Sequence, residues 1–84
     1  MGKYTVLTRE KKENGSKYYG IRIHRFDNES NVQTIYGVID HWFEVDYFYY
    51  DGKRHQSNNR HFPTQEKAES FYAGKIKELE TKIA

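Results

Sequence analysis

The chain has no cysteine and a single proline among its 84 residues. Without thiols there is no disulfide framework, no thiolate metal site and no cysteine nucleophile, which excludes zinc ribbons, knottins and papain-like chemistry. Long apolar runs are missing as well. Nothing approaches the roughly 18 consecutive apolar residues of a membrane span, and no signal-like apolar stretch follows Met1. A soluble protein of the cytoplasm is the expectation. The length leaves room for one hydrophobic core, so residues 1–84 read as a single domain. A domain of this size buries only about 60–65% of its unfolded surface and gains much from a partner.

Charge and aromatic rings are plentiful: 14 Lys and Arg, 12 Asp and Glu, eight Tyr, five Phe and one Trp. The net charge of +2 conceals segregation. Residues 1–26 carry a net +5, residues 27–51 a net −6 with no Lys or Arg, residues 52–63 a net +3, and the remainder is neutral. Such blocks create a polar surface field, or cross-strand ion pairs if the acidic segment lies between the basic ones.

Hydrophobic periodicity predicts an α+β fold: a four- or five-stranded antiparallel meander over residues 3–62, with one helix over about 65–83 packed across it. The stretch from Lys3 to Arg9 favours a strand, and Glu13-Asn14-Gly15-Ser16 a turn. From Lys17 to Phe26 the pattern alternates, with Tyr19, Ile21 and Ile23 on one face and Tyr18, Arg22 and His24 on the other. Residues 27–31 read as a polar loop, and Val32 to Asp40 as a third strand with a bulge or close approach at Gly37. In Trp42 to Tyr50, Phe43, Val45, Tyr47 and Tyr49 share one face, while Trp42, Glu44, Asp46, Phe48 and Tyr50 share the other. Only Asp40-His41 offers a corner before this strand. Asp51-Gly52 suits a type I′ turn, and Arg54 to Phe62 returns as a polar edge strand. Pro63 ends the sheet, Thr64 caps the helix, and Ala68, Phe71, Tyr72, Ile76, Leu79 and Ile83 form its apolar stripe. Glu78 and Lys82 stand at i,i+4 spacing on its exposed side.

Two constellations carry function. Tyr18, Arg22 and His24 on one strand face, with Lys53, Arg54 and Arg60 after the Asp-Gly turn, combine cations for phosphates with rings for bases, as nucleic-acid binders do. A competing assignment has the tyrosines wrapping the core and the arginines pairing with Glu44 and Asp46. Trp42, Glu44, Asp46, Phe48 and Tyr50 mix exposed rings with carboxylates, which suits a protein interface or a dimer contact. Enzymatic patterns are poor. Asp40 with Asp51-Gly52-Lys53 loosely matches metal-dependent nucleases, but the Asp-Gly pair is needed for a turn. His55 and His61 lack the companions of a metal site, and His41 beside Asp40 has no nucleophile to activate. The expectation is a non-enzymatic protein without a cofactor.

Three stretches resemble the WGR domain, a sheet-and-helix module of poly(ADP-ribose) polymerases and bacterial regulators. Residues Lys17-Tyr18-Tyr19-Gly20-Ile21-Arg22 are similar to its opening strand, Tyr36-Gly37-Val38-Ile39-Asp40 to its W-G-R-I-G signature, and Phe62-Pro63-Thr64 through Phe71-Tyr72 to its helix entry. The resemblance implies that fold over residues 17–83, and nucleic-acid and interdomain contacts through the family's Trp and Arg. Here Tyr36, Val38 and Asp40 stand in place of that Trp, that Arg and the second Gly, so the Arg contact has no counterpart. Tyr36 remains as a stacking ring or a core residue. The wealth of Phe, Tyr, Ile, Asn and Lys, all with AT-rich codons, resembles the small accessory proteins of bacteriophages. Together these readings favour a phage-derived nucleic-acid-binding protein acting in a bacterial cytoplasm, RNA ahead of DNA because exposed rings suit single strands. The alternative is a counter-defence inhibitor of a host protein such as a toxin nuclease or a CRISPR or restriction component. A homodimer is compatible with both.

Overall fold

The fold was obtained as a computed structural model, which describes residues 3–34 and 37–84; side chains are described for 4–27 and 41–84. Four antiparallel strands, β1 (Lys3–Asn14), β2 (Lys17–Thr34), β3 (Gly37–Tyr50) and β4 (His55–Phe62), form a meander in the order β1-β2-β3-β4, and helix α1 (Gln65–Lys82) packs across it. The alternation read from the sequence sets the faces. Tyr19, Ile21 and Ile23 of β2 join Phe43, Val45 and Tyr49 of β3 beneath Ala68, Leu79 and Ile83, and Phe71, Tyr72 and Ile76 flank them. Burying these side chains is the main stabilising term of the fold. Tyr19 is fully buried with an unpartnered hydroxyl, and burial pushes that phenol above its ordinary value.

Local chemistry fixes the ends. Gly15 has φ +66° while Ser16 does not enter the left-handed region, so Gly15-Ser16 is a two-residue loop with glycine in the first central place. The second hairpin corrects the expected I′ turn. Tyr50 pairs with His55, which leaves four residues in the loop. Asp51 Oδ1 accepts from Lys53 N at 2.9 Å and Arg54 N at 2.8 Å, and only Gly52, at φ +95°, is left-handed. The side chain, not a backbone turn, organises this loop. At the helix start Thr64 Oγ1 accepts from Lys67 N, with Glu66 in the first turn; at its end Asn14 Nδ2 donates to Ile83 O at 2.6 Å.

Between residues 27 and 41 the structure departs from expectation. The polar segment is not a loop: β2 continues to Thr34, and Val32, Gln33 and Thr34 pair with Ile39, Val38 and Gly37. The third strand predicted over Val32–Asp40 is thus divided between β2 and β3, which pair with each other, so the described sheet has four strands and not five. Its register slips between Asp27 and Val32, which absorbs the polar residues, and β3 runs through Asp40-His41 without a corner. On the helix, Glu78 binds Lys75 at 3.0 Å rather than Lys82, whose ammonium lies over the Tyr49 ring. No helix among the described residues is long and apolar enough to cross a membrane.

Candidate nucleic-acid interface

Helix α1 covers one face of the sheet and leaves the other open. The strand register lays the open face out in rows running across the strands: Tyr4, Phe26 and Trp42; then Val6, His24, Glu44 and His61; then Arg9, Arg22, Asp46 and Asn59; then Lys11, Gly20, Phe48 and Ser57; and last Glu13, Tyr18, Tyr50 and His55. Rings therefore occupy both ends, and charge occupies the middle. Much of this face lines a shallow trough of about 1200 Å³, walled by Arg9, Lys11, Arg22, Asp46 and Phe48 among others.

A bulge in β1 decides which cations reach the trough. Val6 pairs with His24 but Thr8 with Ile23, so Leu7 is an extra residue and the alternation inverts after it. Arg9 and Lys11 consequently join the open face, while Thr8 and Glu10 turn towards the helix, where both act on the Tyr72 phenol. The inversion sets Arg9 directly opposite Arg22. Arg22 reaches Asp46 at 3.6 Å, whereas Arg9 and Lys11 have no acidic partner among the described residues.

In the centre, carboxylates are shared. His24 is buried with Nε2 at 3.0 Å from Asp46 Oδ2, without hydrogen-bond alignment, and Glu44 lies 3.5 Å from His61 Nε2. Tyr4 donates its hydroxyl to Glu44 at 3.4 Å. Burial of that hydroxyl against the sheet, followed by the Glu44 charge, holds the phenol above its ordinary value. The acidic strand does lie between basic neighbours, and the charge blocks cancel here as opposite signs facing each other.

The rings at the two ends differ. Around Trp42 they pack on one another: Phe26 stacks on Trp42 at 4.4 Å and Tyr4 meets Phe26 edge-on at 4.6 Å. At the other end Tyr50 stacks on His55 at 4.6 Å, and Tyr18 shares a 3.2 Å hydrogen bond with His55 Nδ1. Phe48 is 41% exposed and its ring tip reaches over Gly20, where a Cβ would collide with it. A bare backbone position lets the ring extend over the neighbouring strand, where it lines the trough.

The residues singled out from the sequence separate accordingly. Tyr18, Arg22 and His24 share the open face, although His24 is buried; Lys53 and Arg54 sit at the turn beside its Tyr18 end. Arg60 does not join them. It pairs with Val45 on the helix side, its guanidinium 5.2 Å from the Phe71 ring centre. Trp42, Glu44, Asp46, Phe48 and Tyr50 all lie on the open face, with Glu44 buried. Arg9 and Lys11 were missed, because their facing depends on the bulge. Tyr36 lies outside the described residues, as do the side chains of Val38 and Asp40. Among the described residues no group of three or more His, Asp or Glu could hold a metal ion. In comparisons with known proteins, no family, curated protein or solved structure matches the chain.

Proposed function

We propose that this protein is a small non-enzymatic nucleic-acid-binding protein that takes a single strand, RNA ahead of DNA, on its open sheet face in the cytoplasm of a bacterial host. One observation carries the reading: the exposed ring of Phe48 lies beside Arg9, Lys11 and Arg22 on a face that no described element of the fold covers. Two arginines directly opposite each other repel, and phosphate oxygens between them would convert that repulsion into attraction. A base stacked on Phe48 adds about 1–3 kcal/mol without demanding a sequence. The WGR resemblance and the phage-like composition support the same reading.

Labelled oligo(U) and oligo(dT), followed by fluorescence anisotropy, test it. Phe48→Ala is expected to weaken binding at least about fivefold, the lower end of one lost stack, with the salt dependence retained. Unchanged affinity in that variant would remove the proposal.

A second reading is favoured by the charge balance of the open face. Three cations there (Arg9, Lys11, Arg22) meet three carboxylates (Glu13, Glu44, Asp46), a mixture that fits a protein partner, and Trp42, Glu44, Asp46, Phe48 and Tyr50 would form its docking surface. The partner would be a host defence protein. Capture from a bacterial lysate with and without nuclease separates the two: a partner retained after digestion supports the inhibitor, and one lost supports the polynucleotide.

A further inference from the structure

On the helix side of the sheet, three cations lie over aromatic rings beside edge strand β4. Lys82 Nζ lies 5.6 Å from the Tyr49 ring centre, Lys75 Nζ 4.8 Å from that of Tyr47, and Arg60 Cζ 5.2 Å from that of Phe71. Tyr49 pairs with Gln56, Tyr47 with Asn58, and Val45 with Arg60 itself, so the two tyrosines and Arg60 mark successive alternate positions along β4, and Lys75 Nζ also lies 5.3 Å from the Phe71 ring that Arg60 covers. Lys53 and Arg54 stand in the turn that precedes β4. Glu78, bound to Lys75, is the one carboxylate lining the small 140 Å³ groove between β4 and α1. Every residue of β4 from His55 to His61 is exposed and has a side chain able to hydrogen-bond.

We infer that this flank is a phosphate track, and that a strand bound on the open face crosses the β4 edge and lays its backbone along Arg60 and Lys82, beside the Lys75–Glu78 pair. The inference rests on the nucleic-acid reading and extends its footprint to the other side of the sheet. Two features single out a phosphodiester chain as the occupant. The cations of this flank outnumber its acids, unlike the balanced open face. The rings beneath them hold long side chains in place, so an anion need not immobilise them. Donors and acceptors from Gln56, Ser57, Asn58 and Asn59 stand where a strand passing over the edge would run.

The test is the slope of log affinity against log salt for oligo(U), which counts phosphate contacts at about 0.7 per contact in single strands. Lys75 is left intact because it is largely buried. The double variant Arg60→Gln with Lys82→Gln is expected to lower the slope by about 1.4, and Arg60→Lys with native Lys82 to keep it. Thermal melts confirm that the variants are folded. An unchanged slope in the double variant overturns the track and leaves the open face standing if Phe48→Ala still weakens binding. A reduced slope with Phe48→Ala inert supports the track and removes the open face. Failure of the native protein to bind either oligonucleotide overturns both.

Discussion

Arg9 shows how a single residue can be worse for stability than its neighbours would allow. It faces Arg22 directly across two strands, and Asp46 lies against Arg22 and His24 but not against Arg9. Like charges so placed are destabilising by a few tenths of a kcal/mol at an exposed site. Arg9→Gln is therefore expected to raise stability by about 0.2–0.5 kcal/mol in urea titration while lowering oligonucleotide affinity. A residue kept for structure would show the opposite sign in the first measurement. None of this was legible along the chain. Arg9 sits five residues from Tyr4 on a run that reads as simple alternation, and Leu7, the bulged residue, has nothing in its own chemistry that marks it as extra. Lys75 and Lys82 left a fainter trace: seven residues apart, they occupy one side of a helix, but only the fold shows that they share a flank with Arg60.

At the scale of elements, legibility followed burial. Residues 17–26 and 42–50 alternate because one face of each is sealed by α1, and there the pattern gave correct faces. Residues 27–34 and 37–41 show no clean alternation along the chain, so two paired strand segments read as loop, strand and corner. In β4, with every residue polar from His55 to His61, no alternation exists to assign Arg60 to either face. The Asp51 loop is a third case: Asp-Gly was recognised, but its four-residue geometry depends on a side chain accepting two backbone N–H groups. Those groups, that of Arg54 first and that of Lys53 second, hold the Asp51 carboxyl below its ordinary 3.8. A carboxylate depressed in the folded state adds stability that is complete above the unfolded value and lost as pH falls through the folded one. Asp51→Asn keeps an acceptor and removes the charge. Its melting temperature should trail the native protein by a constant gap from about pH 7 to 5, and the gap should close below about pH 4. A gap that persists in acid would assign the loop's stability to shape alone.

The whole molecule is long for its size, 45 × 22 × 19 Å, with a radius of gyration of 14.5 Å where a compact chain of this length has about 12 Å. The reason is the reach of β2 and β3 past the helix. Described core residues end at Ile23 on one strand and Phe43 on the other, whereas the two strands stay paired as far as Thr34 and Gly37. At the base of that extension stands the stack of Tyr4, Phe26 and Trp42 on the open face, with Tyr4 itself more than half exposed. Tyr4, Phe26 and Trp42 lie outside the buried core cluster, and a sheet end held by partly exposed rings opens before a sealed core. Trp42 is the only tryptophan of the chain and sits within it, so its emission reports on the extension, while the helical signal at 222 nm reports on α1 and the core beneath it. In urea, the fluorescence midpoint is expected below the circular dichroism midpoint, with Trp42→Ala leaving the latter almost unmoved. Coincident transitions would mean that the extension and the core unfold as one cooperative unit, with the aromatic stack as strong a fastening as the helix.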